Sequence, residues 1–490
     1  MMKCVLVVLL LFMTTAIPAE LIPDQMVTWS NFSFVTCIAI GHDFVFFGTT
    51  EGILRYHRFE RTWYTPITIS DGLPSNDISR MAASPDDAVL YIETTQGIYR
   101  YDFMFEQWFS ESEIPPEFYV SSGVPAQMPR FYMPFEYSMP TIGVISDKNL
   151  RDFRVTAYVN GDFNMIYSAA WGLGPLLVDG RDFETKVATY GLVQKRVDAI
   201  YKDGDSLWIG GNEGNNSVSD FQTRFGVTCF NLKENTFQWF EPRYINGFDS
   251  EIIYDITGDE DDIYFAGQNG VTVLTKKDKS FFTLNIGDGL PDNEATAVAI
   301  RNDSLWIGTA RGLALYHPSI KTVNIVGRRL LGDLFITDVH IAKDKLIIGT
   351  TKGAYYIDFV SKLTGRLKDP EGDLGGEIRH ISQFDNEVLI STEYGLTTIN
   401  MLTEKARSVP HMSGPGGTYA AAANDKLYVG ITGQGLQIVT REENRRNVLN
   451  QEDGLPSIDI NALLADGKYL WIGSAEGLTR FYWLDPRRVD

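Results

Sequence analysis

Leu305-Trp306-Ile307-Gly308-Thr309-Ala310-Arg311-Gly312-Leu313 is the stretch that decides the fold of this 490-residue chain. An aromatic and an aliphatic residue lead into Gly, a small residue, two more residues and Gly-Leu. The phrase returns as Leu470-Trp471-Ile472-Gly473-Ser474-Ala475-Glu476-Gly477-Leu478, and more weakly at Phe46-Phe47-Gly48 and Tyr428-Val429-Gly430. In the C-terminal half its second glycine falls at Gly270, Gly312, Gly353, Gly395, Gly435 and Gly477, in steps of 42, 41, 42, 40 and 42 residues. That period belongs to a four-stranded propeller blade. The expected fold is all-β, a single β-propeller.

Counting outward from the phrase gives ten blades. Blade one begins at Val35 and ends near Trp63, and blade two runs from Ile78 to Trp108. Blade three, from Val155 through Gly174, is the least regular copy, and blade four carries Leu207-Trp208-Ile209-Gly210 but delays its third strand to Val227. Six more follow at even spacing. The last copy ends at Phe481-Tyr482-Trp483 with no room for an outer strand, while Val27-Thr28-Trp29-Ser30 resembles an outer strand without a blade before it. The N-terminal strand is therefore expected to complete blade ten and close one ring, which removes two open edges.

The phrase Asp-Gly-Leu-Pro, followed by Ser or Asp and then Asn, precedes an inner strand at residues 71–76 and 288–293 and recurs in shortened form at 453–458. Joined to Leu-Trp-Ile-Gly-Thr, it resembles the two-component regulator propeller repeat over nearly the whole chain. In that family such repeats often form the periplasmic sensor half of a membrane-bound histidine kinase. The resemblance implies the propeller and the binding of a ligand or partner; the 490 residues themselves hold no kinase part.

Composition agrees with a large β body, since 44% of the chain is apolar, with 29 Phe, 23 Tyr and 9 Trp. Residues 1–19 read as a signal peptide, with Lys3 ahead of an apolar run and small residues at Ala16 and Ala19. A periplasmic or extracellular chain is expected, without a membrane span. Cys37 and Cys229 fall in different blades and read as unpaired small hydrophobes. A formal charge of −20 argues against nucleic acid and anionic membranes.

Function is read from the insertions and from the channel. The crossover at 109–150 and the hairpin at 211–226 emerge on one face of a propeller, with the crossovers at 241–250 and 408–417, and loops of that length are usually functional. The first holds Phe118, Tyr119, Phe131, Tyr132, Phe135 and Tyr137, either as a platform for a protein or glycan ligand or as a lid over the channel. Repeat alignment places Asp77, Asp198, Asp255, Asp338 and Asp459 at the starts of five inner strands, with Arg154 and Arg379 in two others. They read either as a binding ring at the channel entrance or as acceptors within their own turns. His42, His57, His317, His340, His380 and His411 show no metal-ligand spacing, and no sialidase Asp boxes or Gly-x-Ser-x-Gly elbow occur. The expected function is a secreted or periplasmic binding module, sensory or cell-surface, with no cofactor. The alternative is a propeller enzyme acting on polysaccharide.

Overall fold

The two glycines of the repeated phrase do different work. The second, as at Gly312 (φ +113°) and Gly477 (φ +139°), takes a left-handed turn between the second and third strands. The first is a packing residue. A Cβ on Gly308 would stand 2.6 Å from Ile336 Cγ2, on Gly349 2.7 Å from Ile378 Cγ2, and on Gly48 2.8 Å from Ile78 Cγ2. In each case the neighbour is the first residue of the next blade's inner strand, so the first glycine marks a seam where two sheets meet closely.

The computed structural model describes residues 26–483, apart from 120, 213–223, 369–372, 393, 410–411, 413–417, 424–425 and 441–445. The signal peptide, most of the 211–226 insertion and His411 therefore lie outside the described residues. Ten antiparallel sheets follow one another along the chain, and the described residues hold one α-helix, Arg328–Leu331, of four residues. Blade three is a true blade, with its own four strands between Asp152 and Val187 and two more, Tyr137–Thr141 and Val144–Asp147, added to the edge of the first. The strand Met26–Trp29 pairs with Gly477–Tyr482 and completes blade ten, as expected.

The Asp-Gly-Leu-Pro crossovers are capped 3-10 turns. Asp71 accepts from the Thr68 amide at 2.9 Å, Asn76 accepts from the Ile69 amide at 3.0 Å, and Asp288 and Asn293 repeat this on Asn285 and Ile286 at 3.0 Å each. The motif thus satisfies the turn's free N–H groups while its leucine, Leu73 or Leu290, drops into the core.

The ten blades do not share one ring, and here the expectation is corrected. A Cβ on Gly473 of blade ten would meet Val197 of blade four at 2.7 Å, and the Val197 amide donates to Ser474 O at 2.9 Å. Blades four to ten close on themselves as a seven-bladed ring. Blade three packs instead against blade one, where Thr156 Oγ1 donates to Val35 O at 2.8 Å, and blade one packs against blade two, where Thr36 Oγ1 donates to Ile78 O. These three blades form a unit inserted between the closing strand and blade four. Blade two ends it, because its seam position holds Glu93, paired with a partly exposed Arg80, where other blades have Gly, Ala or Ser.

The long insertion stands where blades two and three would otherwise have met. Phe118 stacks on Tyr91 of blade two at 5.9 Å, and Arg80 lies over Tyr119 at 5.7 Å. On the other side Phe131 is buried against Tyr158 of blade three, beside Met128 and Met139. A chain of rings then joins the unit to the propeller: Trp63 to Tyr190 at 5.3 Å, Tyr190 to Phe237 at 4.9 Å, and Phe237 stacked on Phe230 at 4.2 Å.

A charged strut crosses the same junction. Lys195 Nζ reaches Glu51 Oε1 of blade one at 2.9 Å and also pairs with Glu476 of blade ten. Burial pushes the Glu51 carboxyl up to about 7, although Lys195 pulls it down. A raised carboxyl keeps its proton in the fold while the unfolded chain gives it up, so this contribution is lost as pH rises from about 4.5 to about 7. Glu51→Gln removes the titration. Its melting temperature relative to wild type is expected to climb over that window in parallel thermal melts, and a constant gap would show that Glu51 ionises normally.

Candidate functional site

The inner strands of the seven-bladed ring supply a site at the channel mouth. In five of the seven blades the strand carries a β-bulge just after its first residue, at 253/255, 295/297, 336/338, 378/380 and 460/462. A bulged residue leaves the ladder and is free to be aimed elsewhere. Here Tyr254, Thr296, Thr337, Arg379 and Asn461, with Asp198 and Tyr419 at the matching places of blades four and nine, line one cavity of about 410 Å³.

The cavity is polar and its charges are arranged in pairs. Asp198 accepts from Arg196 Nε at 2.8 Å, and Asp338 Oδ2 lies 3.2 Å from His380 Nδ1 while accepting the Ile381 amide of the next blade at 2.6 Å. Asp255 accepts the amides of Ile256 and, across a seam, Val298, each at 2.8 Å. Burial, with Asp338 close by, pushes its carboxyl up to about 7. The Tyr419 phenol is pushed up to about 12 by burial, and burial also raises Tyr254 and lowers His340. Asn461 Nδ2 and Thr337 Oγ1 are buried in the cavity wall with no hydrogen-bond partner among the described residues.

Of the five aspartates expected at the mouth, Asp198, Asp255 and Asp338 are brought together and two are not. Asp77 lies in blade two, outside the ring, with its amide on Ser75 Oγ at 3.3 Å; Asp459 precedes its strand, with its amide on Ser457 Oγ at 3.0 Å. The five never occupied equivalent places. Measured from the first strand residue, Asp77, Asp198 and Asp459 stand one before and Asp255 and Asp338 two after, and Asp198 differs again because its strand pairs without a bulge, a slip that is invisible in a gapless alignment. Arg154 lies in blade three, whereas Arg379 is in the cavity.

The insertion aromatics divide likewise. Phe131 is core, Phe118 is half-buried between blades, and Tyr137 opens the added hairpin. Tyr119, Tyr132 and Phe135 face outward, Phe135 at 90% exposure with Lys148 Nζ 4.8 Å above its ring. The insertion meets the ring through a buried network: Arg151 donates to Asp147 at 2.6 Å and to Glu241 of the 241–250 crossover at 3.0 Å, while Arg224 lies over Trp239 at 5.0 Å. Cys37, its thiol pushed up to about 12 by burial, and the half-buried Cys229 are both free. No group of His, Cys, Asp or Glu that could hold a metal occurs among the described residues, and no helix there is long and apolar enough to cross a membrane.

No family model matches the chain, and no curated protein matches it. Among solved structures it is similar to PorZ, a surface component of the type-IX secretion system of Porphyromonas gingivalis, at 15% identity over 91% of this chain and 68% of that one, with a TM-score of 0.51. The fold is a β-propeller. Also similar are the extracellular domain of a candidate one component system of B. thetaiotaomicron (13% identity, 93% and 71% covered, TM-score 0.47) and virginiamycin B lyase of Staphylococcus aureus (12%, 58% and 94%, TM-score 0.46). A propeller by itself assigns no activity.

Proposed function

We propose that this chain is an extracellular propeller binding module that takes a small polar ligand at the mouth of the seven-bladed channel, with the outward part of the insertion available to a larger ligand or partner. The observation that carries this reading is the set of seven matching strand positions, bulged or flanking, that turn Asp198, Tyr254, Arg379, Tyr419 and Asn461 into one cavity. Buried polar atoms without partners are costly in an apoprotein and are satisfied by a ligand that supplies an acceptor to Asn461 Nδ2. Binding is favoured over hydrolysis because Asp198, Asp255 and Asp338 are each held by Arg196, backbone amides or His380.

Point changes test the proposal better than loop removal. Replacing residues 112–147 would strip Phe131, Met139 and Ile145 from the core of blade three and unfold it. The purified chain is instead passed over growth medium and envelope extract, and retained small molecules are identified by mass spectrometry. Asn461→Ala and Arg379→Ala should lose the retained compound while melting within a few degrees of wild type, and Phe135→Ala should keep it. Equal retention by all the variants would remove the channel from consideration.

A further inference from the structure

The three-bladed unit presents a second surface at the turns that join its first to second and third to fourth strands. Six turns form that surface, two from each blade, and three of them expose large apolar side chains: Phe59 (53% exposed), Met104 with Phe105, and Phe163 (81% exposed). Phe163 is placed against both its backbone and its solvation preferences. It and Asn164 form a two-residue hairpin turn with φ of +55° and +57°, closed by the Met165 amide on Asp162 O at 3.1 Å and the Gly161 amide on Met165 O at 2.8 Å. Such a turn favours Asn or Gly at both places, and a bulky ring there is an outlier. Neither backbone geometry nor burial explains a phenylalanine at this position; a ring needed at the surface does.

The ring has aromatic neighbours. Phe163 meets Phe59 edge-on at 6.2 Å, and His42 lies 5.9 Å from Phe59 on its other flank. Beneath them Arg58, its side chain only 6% exposed, ties the turns of His42, Phe59 and Phe163 together. It donates to Asp162 Oδ2 at 2.8 Å, Gly41 O at 2.8 Å and His42 O at 2.9 Å. The result is an aromatic ledge of Phe163, Phe59 and His42 on a backbone tied down by Arg58.

Charge indicates what would cover it. The six turns, residues 41–43, 58–61, 84–88, 103–106, 161–164 and 180–184, carry eight carboxylates against three arginines. Arg58 is consumed with Asp162 inside the ledge, Asp87 accepts the His42 and Asp43 amides, and Arg181 pairs with Asp179 at 2.6 Å, which leaves six carboxylates against the exposed Arg61. An apolar ledge with an acidic rim fits a cation presented beside an apolar group, since ring faces and carboxylates both attract it. We propose that this surface docks a polypeptide segment of a partner protein that carries arginine or lysine next to an aromatic or aliphatic residue. The site is separate from the channel and stands whether or not the channel binds anything.

Because the turn itself favours asparagine, Phe163→Asn separates docking from stability. It removes the ring, leaves every charge in place and should melt at or above wild type. The probe is a dye-labelled peptide, Arg-Trp-Arg-Leu-Arg, followed by fluorescence anisotropy at two salt concentrations, against the same peptide with glutamine for each arginine. The expected result is at least tenfold weaker binding to Phe163→Asn and Phe59→Ala, wild-type binding to Phe135→Ala in the insertion, and little binding of the glutamine peptide. Affinity within twofold of wild type for Phe163→Asn and Phe59→Ala would overturn the proposal, as would equal binding of the glutamine peptide. Sedimentation with neutral phosphatidylcholine vesicles that depends on Phe163, with no ring-dependent peptide binding, would make the ledge a membrane contact and overturn it equally.

Discussion

A chain that begins at Phe34 is expected to aggregate or to lose its cooperative melt, because Met26–Trp29 is the outer strand of blade ten. All four of its residues are buried, and it pairs in full register with the last strand, Met26 opposite Phe481 and Trp29 opposite Leu478. Its removal leaves Gly477–Tyr482 as an open edge, the arrangement that recruits other chains. It also strips the Trp29 ring from Phe230 at 5.1 Å and from Trp471 at 6.0 Å, and the Thr28 hydroxyl from Thr479 at 2.8 Å. A buried tryptophan alone is worth about 3 to 5 kcal/mol. With the strand's hydrogen bonds at about 1 kcal/mol each, the loss rivals the whole stability of an ordinary domain, about 5 to 15 kcal/mol. Size-exclusion chromatography and thermal melting decide the matter: a monomer melting within two degrees of the full chain would mean that the ring does not depend on this strand.

Blade number, blade three and the closing strand were legible because each is written in local signals: turn glycines, aromatic strands and an orphan outer strand near Trp29. Ring membership was not legible in the same way, since it depends on which sheet lies against which. One residue did carry the information. At the seam position nine blades have Gly, Ala or Ser and blade two has Glu93, a side chain that no close sheet-to-sheet contact admits. Read as a packing residue rather than as a turn residue, the first glycine of the phrase would have shown where the series of blades breaks off. The channel site was half legible for a related reason. Asp198, Asp255 and Asp338 were singled out, but a one-residue bulge moves the channel-facing place to the neighbouring residue, so Tyr254, Thr337 and Asn461 carried no visible pattern. The insertion aromatics looked alike in sequence and separated only in three dimensions, Phe131 into the core and Phe135 into solvent, because spacing in an irregular segment does not encode burial.

Trp471→Ala should produce the largest loss of stability of any single truncation in the ring, and the reason lies in where the ring closes. Trp471 belongs to the repeated phrase, as does Trp306, yet the two tryptophans have different neighbours. Trp306 packs against Phe359 of the next blade at 5.8 Å within an ordinary seam. Trp471 is almost wholly enclosed where blade ten, the closing strand and blade four converge, with Trp29 at 6.0 Å and Phe230 at 6.4 Å. Its indole Nε1 also donates to Asp466, whose carboxylate pairs with Lys202 of blade four. Removing the indole therefore opens a cavity between sheets that cannot move together, leaves Asp466 without one donor and loosens the contact that makes seven blades a ring rather than an arc. The expected cost is about 4 kcal/mol, toward the upper part of the range for tryptophan truncation, with a smaller loss for Trp306→Ala. Urea unfolding of the two variants beside wild type reads the difference. If Trp306→Ala proves the more damaging, the junction of blades ten and four is no tighter than any other seam, and closure would have to be sought in the hydrogen bonds of the N-terminal strand alone.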